Sequence, residues 1–518
     1  MNGAESLLTS LLQNDVDVCF ANPGTSEMHF VAALDRVSGM RCVLGLFEGV
    51  VTGAADGYGR MLDRPAVTLL HLGPGLANGL SNLHNAMRAQ SPIVNVIGDH
   101  ATFHRQLDAP LTSDIEGTAR PFSHWVRTST SANALATDAA AAVAAARSAP
   151  GKISSLILPA DTAWNEVSVG QPETTVASLI SPPARPADAA IDAAARILKL
   201  NGTTVLILAG QATRQAPLEF AGMISAATGA QLYSQTLTPR IERGAGRVAV
   251  ERIPYPIDQA IDLLKDFDNI ILVGAKAPVG FFAYPGKPGT LFKPGTRIHE
   301  LVSVDGDIPY ALEALADAVG AKKFAPARVD LNLPARPTGS ISPEKIGQLL
   351  AATLPTDAIV IDESLTTGRS FLSATRSSRS HDWILPTGGS IGFALPAAAG
   401  AAIACADRKV VCLESDGSGM YMPQALWTHA REGLNILTIV FANRKYQILR
   451  NEMHNVGAME IGPKASRLLD IDDPEIDWVS LARTFGVDAQ RVDTMDTFSN
   501  ALDAGFATQG PYLIEVAF

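Results

Sequence analysis

Val410-Val411-Cys412-Leu413-Glu414-Ser415-Asp416-Gly417-Ser418-Gly419 decides how the rest of the chain is read. Its apolar run, residues 410–413, is short and continuous, the pattern of a strand buried on both faces. It ends on an acidic, glycine-rich turn. The next such run, residues 436–441, closes on Ala442-Asn443, which puts Asn443 27 residues after Asp416. In a parallel sheet both residues fall at the carboxyl edge, where open α/β sheets bind ligands. One carboxylate and one neutral amide oxygen are hard donors suited to Mg²⁺ or Ca²⁺. Glycines beside the carboxylate admit backbone N–H groups to a phosphate, and a following helix would turn its positive end there. Asp416, Gly417, Ser418 and Asn443 are therefore candidates for a metal-bridged diphosphate site. The plain alternative is that Asp416 caps a helix and Asn443 ends a strand.

Similar runs recur at residues 66–70, 205–208, 270–273 and 358–361, each followed by a longer Ala/Leu-rich stretch. The alternation predicts an α/β fold of parallel sheets covered by helices. Two proline-rich stretches, Ser181-Pro182-Pro183-Ala184-Arg185-Pro186 and Leu333-Pro334-Ala335-Arg336-Pro337-Thr338-Gly339, interrupt it and read as linkers. They divide the chain into three doubly wound domains, 1–180, 187–332 and 340–518. Residues 63–98 align without a gap on residues 407–442, and Gly73-Pro74-Gly75 then falls on Gly417-Ser418-Gly419. The first and third domains thus share one strand-turn-helix-strand plan.

Composition narrows the function. Of 518 residues, 47% are hydrophobic and 18% charged, enough apolar surface for several cores. The 41 basic and 52 acidic residues give a net charge of −11 with no basic tail or stripe, which argues against nucleic acid as a partner. The start, Met1-Asn2-Gly3-Ala4-Glu5, carries no secretory pattern, and no apolar run approaches the roughly 18 residues of a membrane span. The expectation is a cytoplasmic protein without membrane contact. Cys19, Cys42, Cys405 and Cys412 fit neither a zinc site nor a redox pair by spacing and read as buried thiols.

Two further constellations lie in the first domain. Glu48 stands in Leu44-Gly45-Leu46-Phe47-Glu48-Gly49-Val50-Val51-Thr52-Gly53-Ala54-Ala55-Asp56-Gly57-Tyr58, among small and apolar residues that would desolvate it. A desolvated carboxyl can share a proton with a ring nitrogen; the alternative is a helix-start Glu that meets the dipole. The turn Asn22-Pro23-Gly24-Thr25-Ser26-Glu27 follows an apolar run at 16–20, and His71 follows the run at 66–70. Both reach a sheet edge. His71 is the best placed of the ten histidines for proton transfer, although a structural histidine bonded to backbone fits nearly as well.

Together these residues resemble the thiamine diphosphate enzymes of the acetolactate synthase, benzoylformate decarboxylase and pyruvate decarboxylase superfamily. The likeness runs over essentially the whole chain and in order: Asn22-Pro23-Gly24-Thr25, Glu48 with Ala54-Ala55-Asp56-Gly57-Tyr58, Gly73-Pro74-Gly75, Gly392-Phe393-Ala394-Leu395-Pro396, and Asp416-Gly417-Ser418 with Asn443. It looks closest to acetolactate synthase large-subunit homologues and to benzoylformate decarboxylase. The resemblance implies a pyrimidine-binding domain at 1–180, a central domain at 187–332, and a diphosphate- and Mg²⁺-binding domain at 340–518. It implies that Asp416, Asn443 and the backbone carbonyl of Lys445 hold the cation against the cofactor diphosphate, beside Gly417, Ser418 and Tyr446. Glu48 would pair with N1′ of the aminopyrimidine, the Gly389 carbonyl would accept from its amino group, and Ile391 would be the stiff wedge under both rings. In the superfamily Glu48 and Asp416 come from different chains, so the resemblance implies a homodimer or homotetramer with sites at the interface.

Departures bear on the substrate. The family's Gly-Asp-Gly-Ser is Ser415-Asp416-Gly417-Ser418 here, and its Asn-Asn pair is Ala442-Asn443. His71 resembles the first-domain histidine of benzoylformate decarboxylase, and Thr25 lies where that enzyme has serine. Its second histidine aligns near Phe282, and a hydrocarbon ring relays no protons. Acetolactate synthases often carry FAD in the central domain; the strands at 205–208 and 270–273 run into Gly210 and Gly274 without a full Gly-x-Gly-x-x-Gly fingerprint, so FAD is less expected than not. The function implied is a carbon–carbon lyase or ligase acting on a 2-oxo acid, forming an aldehyde or, with a carbonyl acceptor, an acyloin. His71 would move the proton and Thr25 bond the donor, while Phe281, Phe282, Ile448 and Leu449 would line an apolar acceptor pocket. The rivals are an FAD- and thiamine diphosphate-dependent oxidase of 2-oxo acids and a non-catalytic homologue that keeps the fold.

Overall fold

The computed structural model describes residues 1–168, 180–200, 202–458 and 460–518. Its strands are the apolar runs of the sequence, extended by one or two residues at an end: Thr204–Leu208, Asn269–Val273, Ala358–Glu363, Val410–Ser415 and Ile436–Ala442. The run at 16–20 is shifted, with the strand at Val18–Ala21.

Three sheets result. The first runs, edge to edge, Arg41–Leu44, Val18–Ala21, Ala66–Leu70, Ile93–Asp99, Ile153–Pro159, Trp125–Thr128, all parallel. The second runs Glu251–Arg252, Gln231–Ser234, Thr204–Leu208, Asn269–Val273, Arg297–Val302, again all parallel. The third runs Asp488–Val492, Tyr512–Ala517, Ile436–Ala442, Val410–Ser415, Ala358–Glu363, His381–Ile384, Ile241–Arg243. Its last strand comes from the middle of the chain and is the one antiparallel neighbour, pairing Trp383 with Ile241 and His381 with Arg243. The parallel reading therefore holds for every named pair but that one. A three-residue edge strand has no crossover helix to set its direction, so it can add either way.

The first and third domains share one apolar core, in which Tyr58 and Leu83 of the first join Phe393 and Ala397 of the third. The helices Glu48–Leu62 and Ala394–Ala404 cross with backbones touching. A Cβ on Gly57 would lie 2.0 Å from the Ala397 carbonyl oxygen, and one on Gly400 1.8 Å from that of Ala54. No side chain fits at either point, which is why the crossing is made by glycine.

Three expectations change. Gly73-Pro74-Gly75 does not form a turn; it opens the helix Leu72–Ala89, with the reversal made one residue earlier by Leu72 at φ +49°. Asp416 is followed by a helical turn of only four residues, Asp416–Gly419, and not by a helix long enough to carry a strong dipole. Cys42 is exposed, because its strand is the outer edge of the first sheet. Among the described residues no helix is long and apolar enough to cross a membrane.

Candidate active site

At the carboxyl edge of the third sheet, Asp416 is buried and its oxygens are taken by backbone. Oδ1 accepts from the Gly417 N–H at 3.0 Å and Oδ2 from the Arg444 N–H at 2.6 Å. Burial outweighs both bonds and pushes the carboxyl up to about 6. A divalent cation would supply the compensation that the surrounding groups do not. Asn443 Oδ1 accepts from the Lys445 N–H at 3.1 Å, and the Lys445 carbonyl accepts from the Gln447 N–H at 2.9 Å; each carbonyl oxygen keeps a second lone pair. Gly417 is required by Tyr446, whose ring would stand 2.6 Å from a Cβ there. The Ser418 hydroxyl turns inward to the carboxylate of Glu414. Among the described residues no cluster of three or more His, Cys, Asp or Glu could hold a metal, so a cation here would rest on one carboxylate with neutral oxygens.

Beneath this loop lie two carboxyls that the sequence reading passed over. Glu363 and Glu414 are register partners on adjacent strands, both buried. Glu363 Oε2 accepts from the N–H groups of Phe393 and Ala394 at 2.8 and 2.9 Å, fixing the start of the helix Ala394–Ala404. Burial pushes Glu363 up to about 8, and burial together with the Glu363 charge pushes Glu414 up strongly. Their signal was an acidic residue ending each of two apolar strands.

The segment Gly389-Ser390-Ile391-Gly392 is pinned from the first domain. Asn85 Nδ2 donates to the Ser390 carbonyl at 2.7 Å, and the Ser390 N–H donates to Asn85 Oδ1 at 3.1 Å. Gly389 and Gly392 have φ of +73° and +87°, and Ile391 between them is half-buried. A Cβ on Gly389 would meet the Phe281 ring at 2.7 Å.

At the edge of the first sheet, Glu48 is the first residue of its helix and is buried, with Oε2 accepting from Asn78 Nδ2 at 3.0 Å. His71 sits between the strand Ala66–Leu70 and the helix Leu72–Ala89. Its Nδ1 lies 2.8 Å from Oε2 of Glu27, which is wholly buried and also accepts from the Gly24 N–H at 2.7 Å. Burial raises the Glu27 carboxyl against the pull of His71. Glu27 was quoted in the sequence only as part of a turn; nothing local marked it as the partner of a residue 44 positions away. Thr25, two residues before it, is exposed.

The helix Leu72–Ala89 measures the distances between these parts. Asn78 holds Glu48, and Asn85 holds the loop of Ile391 in the same chain. At 1.5 Å per residue these grips lie about 10 Å apart, and His71 about 20 Å from Asn85.

A cavity of about 570 Å³ lies between the central domain and the helix Gln447–Asn455. Phe281 lines it; Phe282, Ile448 and Leu449 are not among its lining residues. The helix lines it with Gln447, Arg450, Asn451, Glu452, His454 and Asn455. Its walls are polar, with Tyr284 donating to Glu452 Oε2 at 2.5 Å and Arg450 paired to Asp470. In the central domain, Gly274 packs close: a Cβ there would lie 2.5 Å from Ile308 Cδ1.

Two sheet edges of like topology, one offering a buried acid with a histidine and the other an aspartate-asparagine loop, define a class. Residues 1–118 match the family described as thiamine pyrophosphate enzyme, N-terminal TPP binding domain, and residues 366–516 the C-terminal TPP binding domain of the same enzymes. The chain belongs to the thiamine pyrophosphate enzymes. It is 48% identical to IlvX of Mycobacterium tuberculosis, provisionally named an acetolactate synthase large subunit, over 100% of this chain and 99% of that protein. It is 29% identical to benzoylformate decarboxylase of Pseudomonas aeruginosa, over 98% of this chain and 97% of the enzyme. The solved thiamine diphosphate-dependent 4-hydroxybenzoylformate decarboxylase of Rhodococcus jostii RHA1 superposes with a TM-score of 0.88 at 25% identity, covering 100% of this chain and 99% of that one.

Proposed function

We propose that this chain is a thiamine diphosphate- and Mg²⁺-dependent enzyme that breaks or forms a carbon–carbon bond at the carbonyl of a 2-oxo acid. The observation that carries the reading is the joint placement of Glu48 and His71 on the first sheet's carboxyl edge and Asp416 with Asn443 on the third's. The residues fit the group. Asp416 is a buried carboxylate short of compensating charge, and the Lys445 carbonyl and Asn443 amide add neutral oxygens. Gly389 offers a carbonyl, and Ile391 a branched apolar surface beside it. Thiamine diphosphate, when bound, supplies a carbon nucleophile for the substrate carbonyl and an electron sink for the bond that breaks.

The chain's own work is positioning and proton transfer. Glu48, buried and held by Asn78, would hydrogen-bond N1′ of the aminopyrimidine. With Glu27 accepting at Nδ1, His71 presents Nε2 to the substrate as donor or acceptor, and Thr25 lies nearby for the donor's carboxylate or carbonyl. Phe282 is exposed and its ring has no exchangeable proton, which leaves His71 as the group assigned to protonate the product. The family resemblance supports a site shared by two chains, Glu48 from one and Asp416 from the other, in a homodimer or homotetramer.

The test is to supply thiamine diphosphate and Mg²⁺ and screen 2-oxo acids with and without aldehyde acceptors, detecting CO₂ and acyloin. Product that requires both cofactors is expected. Glu48→Gln should bind the cofactor by calorimetry yet lose turnover; near-normal turnover in that variant would remove the role given to Glu48.

A further inference from the structure

Cys19 and Cys42 are 23 residues apart in sequence, but they face each other as register partners on the parallel strands Val18–Ala21 and Arg41–Leu44. Neighbouring strands lie about 4.8 Å apart, and paired residues project to the same face. That separation falls within the roughly 4.4–6.8 Å that a disulfide spans between Cα atoms. The Cys19 thiol donates to the Phe20 carbonyl at 3.8 Å. Cys19 is wholly buried, whereas Cys42 is exposed on the outer edge of the sheet.

The asymmetry gives each thiol a separate part. The neighbouring Cys19 holds the Cys42 thiol below its ordinary range, while Cys19 itself is pushed up by its Cys42 neighbour and by burial. Cys42 is thus the accessible, more readily ionised nucleophile and Cys19 the shielded second thiol, the arrangement of an attacking and a resolving cysteine. Cys405 and Cys412 are pushed up by burial.

We propose that Cys19 and Cys42 are a hydroperoxide-sensitive dithiol that closes to a disulfide across the two strands leading to Thr25 and Glu48. The Cys42 thiolate attacks one oxygen of hydrogen peroxide; the O–O bond breaks, the departing hydroxide takes a proton and leaves as water, and Cys42 becomes a sulfenic acid. Cys19 then attacks the Cys42 sulfur, the S–O bond breaks, and a second water leaves with the Cys19 proton. Two thiols and one peroxide give one disulfide and two waters, the two electrons passing from sulfur to oxygen. Thr25 follows Cys19 by six residues and Glu48 follows Cys42 by six, so the link ties together the two strands that deliver these side chains. This coupling rests on the catalytic reading above; the disulfide itself does not.

The experiment uses the full chain with thiamine diphosphate and Mg²⁺. It is treated with hydrogen peroxide, alkylated, and mapped by peptide mass spectrometry before and after dithiothreitol. The expected result is a linked Cys19–Cys42 peptide, two free thiols lost per chain, both restored by reduction, and turnover lowered severalfold in step with the link. Cys42→Ser, an exposed edge substitution, should leave Cys19 unoxidised under the same treatment. Oxidation of Cys42 to sulfinic acid without a link, or a link between chains, would overturn the proposal. Unchanged turnover in fully linked protein would overturn the coupling to Glu48 while leaving the disulfide standing.

Discussion

Glu27 and His71 form a carboxylate–imidazole pair at the edge of the first sheet, Oε2 to Nδ1 at 2.8 Å, with Glu27 fully buried and His71 open on its other side. Such a pair fixes the ring's orientation and leaves Nε2 as the working nitrogen. His71→Ala should lower turnover by about 10²–10⁴, the usual contribution of a positioned acid or base. Glu27→Gln should approach that loss while leaving cofactor affinity unchanged, because the amide no longer enforces the Nδ1–H tautomer. Steady-state kinetics with parallel calorimetry checks both, and wild-type rates in either variant would reduce the pair to packing.

Asp416 gives a pH dependence with a definite sign. Its carboxyl, pushed up to about 6 by burial, must lose its proton to meet a cation. Mg²⁺-supported cofactor affinity should therefore hold above pH 6 and fall about tenfold per pH unit below it, as one proton competes for the site. Asp416→Asn should bind more weakly throughout and without that slope. A slope retained in Asp416→Asn would assign the proton to another group.

Glu363 acts in the opposite sense, on stability. Its folded carboxyl lies at about 8, against an ordinary value of 4.5, so the folded chain keeps a proton that the unfolded chain has lost. The contribution is whole below about pH 4.5 and disappears as pH rises through 8. Glu414, its register partner, titrates with it. The melting temperature of the cofactor-free chain should fall between about pH 4.5 and 8, and Glu363→Gln should flatten that fall while its carbonyl still accepts from Phe393 and Ala394. Equal slopes in both proteins would show that the carboxyl ionises freely.

The strands were legible because continuous apolar runs of four to seven residues admit few other readings; the edge residues Asp416, Asn443 and His71 follow from where those runs stop, and Glu48 from its small and apolar neighbours. What the sequence could not show was partnership at long range. Glu27 meets His71 across 44 residues, Asn85 grips Ser390 across 305, and Cys19 faces Cys42 through a strand register that spacing does not encode. The strand Ile241–Arg243 was missed because three residues carry too little periodicity, and its pairing depends on a sheet built from the far end of the chain. The cavity beside the helix Gln447–Asn455 has Phe281 in its lining but not Phe282, Ile448 or Leu449, and the sequence did not show how that helix meets the central domain.

Arg60 binds the three domains at one buried point. It donates to Asp56 through Nε at 2.8 Å and Nη2 at 2.6 Å, and to the Leu385 carbonyl at 2.6 Å, and its guanidinium lies over the Phe393 ring. The central domain's Pro239 carbonyl accepts at 3.4 Å. Both charged side chains are almost completely buried. Removing one partner of such a pair leaves an uncompensated charge, whereas removing both does not, so the two losses should differ. Arg60→Met should destabilise the chain by about 3–5 kcal/mol, read as a lower urea midpoint. The double variant Arg60→Met with Asp56→Leu should recover most of that loss. If the double variant is as unstable as the single one, the cost lies instead in the lost bonds to Leu385 and Pro239, and Arg60 serves as a clasp between domains more than as the partner of Asp56.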